Sequence, residues 1–141
     1  MAKPKVLAAV PPASLEVVSR VVAEDVELVF TNALPAAREL LAATPDIAMV
    51  LCGVHFDESR MYDLLEYVHR DFPHLPFFVV RIVDREGRRL SMATLGAAAQ
   101  AAGAAGVFDF VAMSQSLGKA AAERALREAI LRHLPRRAGA S

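Results

Sequence analysis

The densest run of chemically capable side chains in this sequence is His55, Asp57, Glu58, Ser59 and Arg60, which directly follows an apolar segment ending at Cys52. Arg81 and Asp84 close a second apolar segment in the same way. Polar groups at the ends of apolar runs are the usual makings of an anion or carboxylate site, with His55, Arg60 and Arg81 supplying positive charge and Asp57 and Asp84 balancing it. The same residues also read as structure. Asp57 or Ser59 suits the cap of a following helix, where a side-chain oxygen accepts from a free backbone N–H. Arg81 follows Phe77-Phe78-Val79-Val80, so its stem is half-buried and its guanidinium needs acceptors. An internal salt bridge to Asp57 or Asp84 would provide them. Cys52 is the single cysteine, which excludes an internal disulfide and a cysteine metal site. Ending an apolar run, it reads as a buried, inert thiol. His69, His74 and His133 lack metal-ligand spacing and read as surface residues. Phosphate loops, nucleophile elbows and zinc motifs do not occur in the sequence.

These residues need a scaffold, and the pattern around them supplies one. Five short apolar runs, Val6–Val10, Val26–Thr31, Ile47–Cys52, Phe77–Ile82 and Val107–Ala112, alternate with helical periods. Runs that are apolar nearly throughout suit parallel strands covered on both faces. Glu27 interrupts the second run and places it near a sheet edge. Leu15, Val18 and Val22, then Leu34, Ala37 and Leu41, then Met61, Leu64, Leu65 and Val68, and finally Ala122, Leu126, Ala129 and Ile130 recur at three- and four-residue steps. Leu90, Met92 and Leu95 lead into the Ala-rich Ala97–Ala105 segment, which reads as a closely packed fourth helix broken near Gly103 or Gly106. Asn32 suits the cap of the second helix and Ser116 that of the fifth, with Pro35 in a first turn. Five βα units predict an α/β fold: a flavodoxin-like, doubly wound, five-stranded parallel sheet of order 2-1-3-4-5 with helices on both faces. One domain over 1–141 is expected, with a core over 5–134 and a flexible tail over 135–141.

Composition narrows the function classes. Sixteen acidic residues balance sixteen basic ones, whereas nucleic-acid binding needs a basic excess. The cluster Arg132, His133, Arg136 and Arg137 reads as a solvated tail. No apolar run reaches membrane-spanning length, and residues 1–10 do not read as a signal peptide. A cytoplasmic protein of bacterial style is expected, with neither nucleic-acid nor membrane partners.

At this point the chain resembles the receiver domain of bacterial two-component response regulators, over residues 5–134. The resemblance rests on Pro45-Asp46, on Leu64-Leu65 with its helix to Phe72-Pro73, on Leu75-Pro76, and on the Gly106–Met113 segment. A receiver holds Mg²⁺ through two acidic residues after the first strand and an Asp after the third, which accepts a phosphoryl group. A Thr or Ser after the fourth strand and a Lys after the fifth bind the phosphoryl oxygens. Placed on that pattern, the acidic pair becomes Val10 and Pro11, the acceptor Gly53 (or Cys52 with a one-residue shift), the hydroxyl Arg81 and the lysine Met113. All five are replaced. The resemblance therefore implies a pseudo-receiver: no catalytic residue, no metal, no cofactor, and action through a protein partner such as a kinase or other signalling protein. It also implies a homodimer through the fourth helix, fifth strand and fifth helix, where Ala97–Ala105 and Ala120–Ala125 permit close approach. The alternative is a small-ligand or anion sensor using the crevice near Pro11, Gly53 and Arg81, with His55, Asp57, Arg60 and Asp84 as further contacts.

Overall fold

The computed structural model describes residues 3–83 and 92–134. Five parallel strands, β1 (Lys5–Ala9), β2 (Glu27–Thr31), β3 (Ile47–Gly53), β4 (Phe77–Arg81) and β5 (Gly106–Asp109), lie in the order β2-β1-β3-β4-β5. Six helices are described: α1 (Pro12–Val22), α2 (Leu34–Ala43), α3 (Met61–Asp71), α4 (Met92–Ala101), α5 (Phe110–Leu117) and α6 (Lys119–His133). The expected flavodoxin-like topology is the one observed, and β2 lies at the edge as Glu27 indicated.

Alternation along each strand divides the core in two. Leu7 and Ala9 of β1, with Val50 and Cys52 of β3 and Phe77 and Val79 of β4, face Leu41, Leu64, Leu65 and Val68 of α2 and α3. Val6 and Ala8, with Met49, Leu51, Phe78 and Val80, face Val18, Val22, Leu126 and Ile130 of α1 and α6. Strands covered on both faces can be apolar at every position, which explains the unbroken runs in the sequence. Two ion pairs tie the second layer together, Arg20 to Glu123 and Arg127 to Asp25, both between the α1 region and α6. Their side chains are partly exposed, so they orient the helices more than they stabilise them.

Three expectations need correction. The fifth run is a strand only to Asp109, because the Asp109 side chain accepts from Ala112 N–H and starts α5 there. Ser116 therefore lies in the last turn of α5, and the final helix starts after Gly118, whose φ of 86° sets the corner. His133 is no surface residue. Its ring is half-buried against Phe78, with centroids 4.6 Å apart, and its Nδ1 lies 2.7 Å from the Ala129 carbonyl oxygen. That carbonyl fixes the proton on Nδ1 when the ring is neutral. Ala122 of α6 is fully buried against the core, as its place in the Ala122–Ile130 stripe indicated. Leu90, Arg136, Arg137 and the 135–141 tail lie outside the described residues.

His133 and Phe78 together explain Gly106. A Cβ there would lie 2.8 Å from His133 Nε2 and 2.9 Å from Phe78 Cε1. Neither neighbour is free to move, one being buried and the other held to Ala129. Gly106→Ala is expected to destabilise the fold by about 2 kcal/mol through overpacking, measured as a lowered urea midpoint at unchanged m-value.

Candidate functional site

The carboxyl ends of the strands form a crevice, the place where open α/β sheets bind ligands. Its centre is built on a direct strand-to-strand pair. The parallel register sets Arg81, the last residue of β4, opposite Asp109, the last of β5. Arg81 Nε donates to Asp109 Oδ1 at 2.8 Å and Nη2 donates to Oδ2 at 3.0 Å. Both side chains are largely withdrawn from water, at 13% and 22% exposure. A bidentate guanidinium–carboxylate pair is the strongest geometry available to these groups. The expected partner of Arg81 was Asp57 or Asp84. Asp57 is engaged elsewhere, and Asp84 lies outside the described residues. Asp109 was missed because it sits inside an apolar strand run, although a lone acid in such a run, one strand from an arginine, is itself a signal of pairing.

Around Gly53 the crevice is closed. A Cβ at Gly53 would lie 3.2 Å from Pro11 Cδ and 3.5 Å from Val10 Cγ1. Val10 is fully buried and Pro11 is the residue before α1, so a side chain at Gly53 would need the Pro11 ring to give by a few tenths of an ångström. Cys52, one residue earlier, is fully buried and burial pushes its thiol well above its ordinary pKa, as an inert cysteine requires. Met113 rides on α5 and packs into the layer beside α1 and α6. Val10, Pro11 and Gly53 bring no side-chain oxygen to this point. Among the described residues no three His, Cys, Asp or Glu are placed to hold a metal ion. The crevice floor thus does not fit a hard divalent cation.

The polar loop after β3 does something other than cap α3. Asp57, Glu58 and Ser59 take φ values of 44°, 56° and 76°, three successive left-handed residues without a glycine. Such backbone persists only where the surroundings over-determine it. Here the Asp57 N–H donates to Asn32 Oδ1 at 3.1 Å, and Asp57 Oδ2 accepts from Leu34 N–H at 2.7 Å. Asp57 therefore caps α2, the helix of a neighbouring unit. Asn32 receives the loop instead of capping α2 itself. The residue preceding α3 is Arg60, which carries no side-chain cap. Arg60 is exposed at the helix start, its N–H bonded to the Phe56 carbonyl at 2.8 Å.

Beside this clasp lies a cavity of about 260 Å³ whose walls include Pro11, Ser14, Asn32, His55 and Glu58. Of the expected contacts among the described residues, His55 and Pro11 line it. Arg60, Arg81, Gly53 and Asp57 do not, so the structure does not gather His55, Arg60 and Arg81 into one cationic pocket. Ser14 and Asn32 were not foreseen as site residues. The signal for Ser14 was its place just inside a helix that starts with Pro11-Pro12.

No protein-family model matches the chain, and no curated protein matches it in sequence. Solved structures do. An orphan response regulator of H. pylori superimposes with a TM-score of 0.66 at 13% identity, over 93% of this chain and 96% of that one. A response regulator receiver domain protein from Clostridium thermocellum gives 0.62 at 17% identity, over 93% and 99%. A response regulator in red light signaling of R. palustris gives 0.65 at 15%, over 89% and 90%. At such identities the likeness establishes the fold, which is that of response-regulator receivers.

The strength of the Arg81–Asp109 pair is measurable. Asp109→Ala removes the counter-charge of a mostly buried guanidinium and the cap of α5, and is expected to cost about 2–3 kcal/mol. Arg81→Met with Asp109→Ala is expected to cost less than the sum of the single changes, giving a coupling energy of about 1–2 kcal/mol in a double-mutant cycle by urea denaturation.

Proposed function

We propose that this receiver-fold domain is a pseudo-receiver: a non-catalytic signalling or scaffold module that is not phosphorylated on Asp and acts through protein–protein contacts. The observation that carries this reading is the Arg81–Asp109 pair: at the position the resemblance assigns to the phosphoryl-binding hydroxyl stands a cation already held by two hydrogen bonds to a carboxylate. Two further features support it. The acceptor position is Gly53, packed against Pro11, and the acidic pair is replaced by Val10 and Pro11. Met113, at the lysine position, is turned into a helix. Switching by a ligand requires different affinities for two conformations. In a receiver, metal and phosphoryl group supply that difference. Here Arg81 would repel a divalent cation, and its bidentate bonds hold the ends of β4 and β5 together already.

A domain with these features can still present receiver surfaces to a kinase, a regulator or a second copy. Two patches support such contact. Ala97, Ala98 and Ala101 are exposed on α4. Leu117, 62% exposed, rims an open apolar groove with Val107, Phe108 and Met113. In this reading the protein is cytoplasmic and forms a homodimer through α4, β5 and the helices that follow. Among the described residues no helix is long and apolar enough to cross a membrane.

Two measurements test the reading. Incubation with acetyl phosphate, or with beryllofluoride and Mg²⁺, is expected to leave both the intact mass and the amide NMR spectrum unchanged. Gly53→Asp is expected to stay equally silent, because the acidic pair is still missing. A gain of one phosphoryl group, lost on Asp57→Asn or Asp84→Asn, would overturn the proposal. Sedimentation at about 50 μM is expected to show a dimer that Leu117→Glu or Ala98→Glu converts to monomer, whereas monomer alone at that concentration removes the homodimer.

A further inference from the structure

We propose that the cavity beside the β3–α3 loop binds a free α-amino acid with an apolar side chain, its carboxylate on the α1 N-terminus and Ser14, and its ammonium on Glu58. The proposal is independent of partner docking and concerns a site distinct from the closed space at Gly53.

The anionic end of the ligand follows from α1. Its 11 residues start at Pro12 with Pro11 before them, and no side chain caps it. The N–H groups of Ser14 and Leu15 fold back onto the Pro11 carbonyl at 3.0 and 3.1 Å. Pro12 has no N–H, and the Ala13 N–H has no backbone acceptor among the described residues, so the positive end of the helix is left open at a residue that lines the cavity. Helix N-termini in this state attract carboxylates. Ser14 is an independent pointer. It is 5% exposed, lines the cavity, and its hydroxyl has no hydrogen-bond partner among the described residues. The hydroxyl is open to the cavity, where a ligand oxygen at this wall would meet both Ser14 and the Ala13 N–H.

The cationic end follows from Glu58, also a wall residue. Its left-handed backbone is held by the neighbouring clasp of Asp57 onto Asn32 and Leu34, which sets the position from which the exposed side chain lines the opening. An inorganic anion would meet Glu58 as a like charge, and a simple cation would face the positive helix end. A zwitterion satisfies both. Pro11 and Val83, the latter 40% exposed beside the opening, supply an apolar surface for its side chain. The volume of about 260 Å³ lies just below the range of ordinary small-molecule sites and suits a ligand of amino-acid size.

The test uses the unmodified full chain and the twenty amino acids, each at about 5 mM, in thermal shift followed by titration calorimetry. One or more apolar amino acids are expected to raise the melting temperature and to titrate to saturation. The N-acetyl form, which lacks the ammonium, and the amide form, which lacks the carboxylate, are each expected to lose that binding. Ser14→Ala and Glu58→Gln, with melting temperatures of the free protein near the parent's, are each expected to weaken it about tenfold. Absence of a saturable amino acid, equal binding of the N-acetyl or amide form, or unchanged affinity in both variants would overturn the proposal.

Discussion

The ends of β4 and β5 are organised by one carboxylate. A parallel sheet buried on both faces has no solvent to offer a charged side chain at a strand end, so Arg81 must find an anion within its own layer. Register places Asp109 directly opposite. With Oδ1 shared between Arg81 Nε and the Ala112 N–H, the same group that neutralises the guanidinium also starts α5. That fixes where β5 ends, and it turns the following residues into a helix instead of an extended crevice loop. Met113 is carried on that helix into packing with the α1 and α6 layer. The position of one acid thus sets strand length, helix start and the shape of the crevice together.

The other half of the crevice obeys a different constraint, that of space. Gly53 ends β3 in contact with Pro11, and the two close the gap between β1 and β3 by their lack of side-chain reach. With that gap shut, the polar residues after β3 are displaced outward toward β2 and α2. Asp57 reaches Leu34 N–H and meets Asn32, linking loops from two βα units. Charge thus governs the β4–β5 side and close packing governs the β1–β3 side. The residual cavity lies in between, against α1, where the helix end is uncapped.

The sheet was legible in the sequence because buried parallel strands leave a simple trace, an apolar run at every position, and because five such runs between helical stripes leave few topologies. Strand ends were legible to within a few residues. The crevice was less so, for a physical reason. A strand-end residue is positioned by its neighbour in the sheet, and Arg81 and Asp109 are 28 residues apart, so no local pattern joins them. The same holds for the caps. Asn32 and Asp57 each have the right chemistry for the helix that follows, and local spacing assigns them there. The positive φ angles from Asp57 to Ser59 turn the loop back instead, so that Asp57 serves α2 across 23 residues. His133 was misread for a similar reason. A basic cluster near the end of a chain reads as solvated, but the ring stacks on Phe78 because Gly106 leaves the room for it.

A receiver shell with a built-in ion pair has a consequence for how any signal could enter it. Moving a two-state domain needs a ligand whose interaction differs between the states by several kcal/mol. A phosphoryl group achieves this by creating new charge next to a waiting cation. Where the cation is already paired in bidentate fashion, new charge must first displace Asp109, and displacement would also uncap α5. The pair thus ties the end of β4 to the end of β5 and to the start of α5. The β1–α1 side is different: no side chain caps the helix there, and the Ser14 side chain opens onto the cavity. Differential interaction is easiest to generate where polar groups are still unsatisfied. In this domain such groups lie in the loops around α1 and α2, whereas the ends of β4 and β5 are already joined by Arg81 and Asp109.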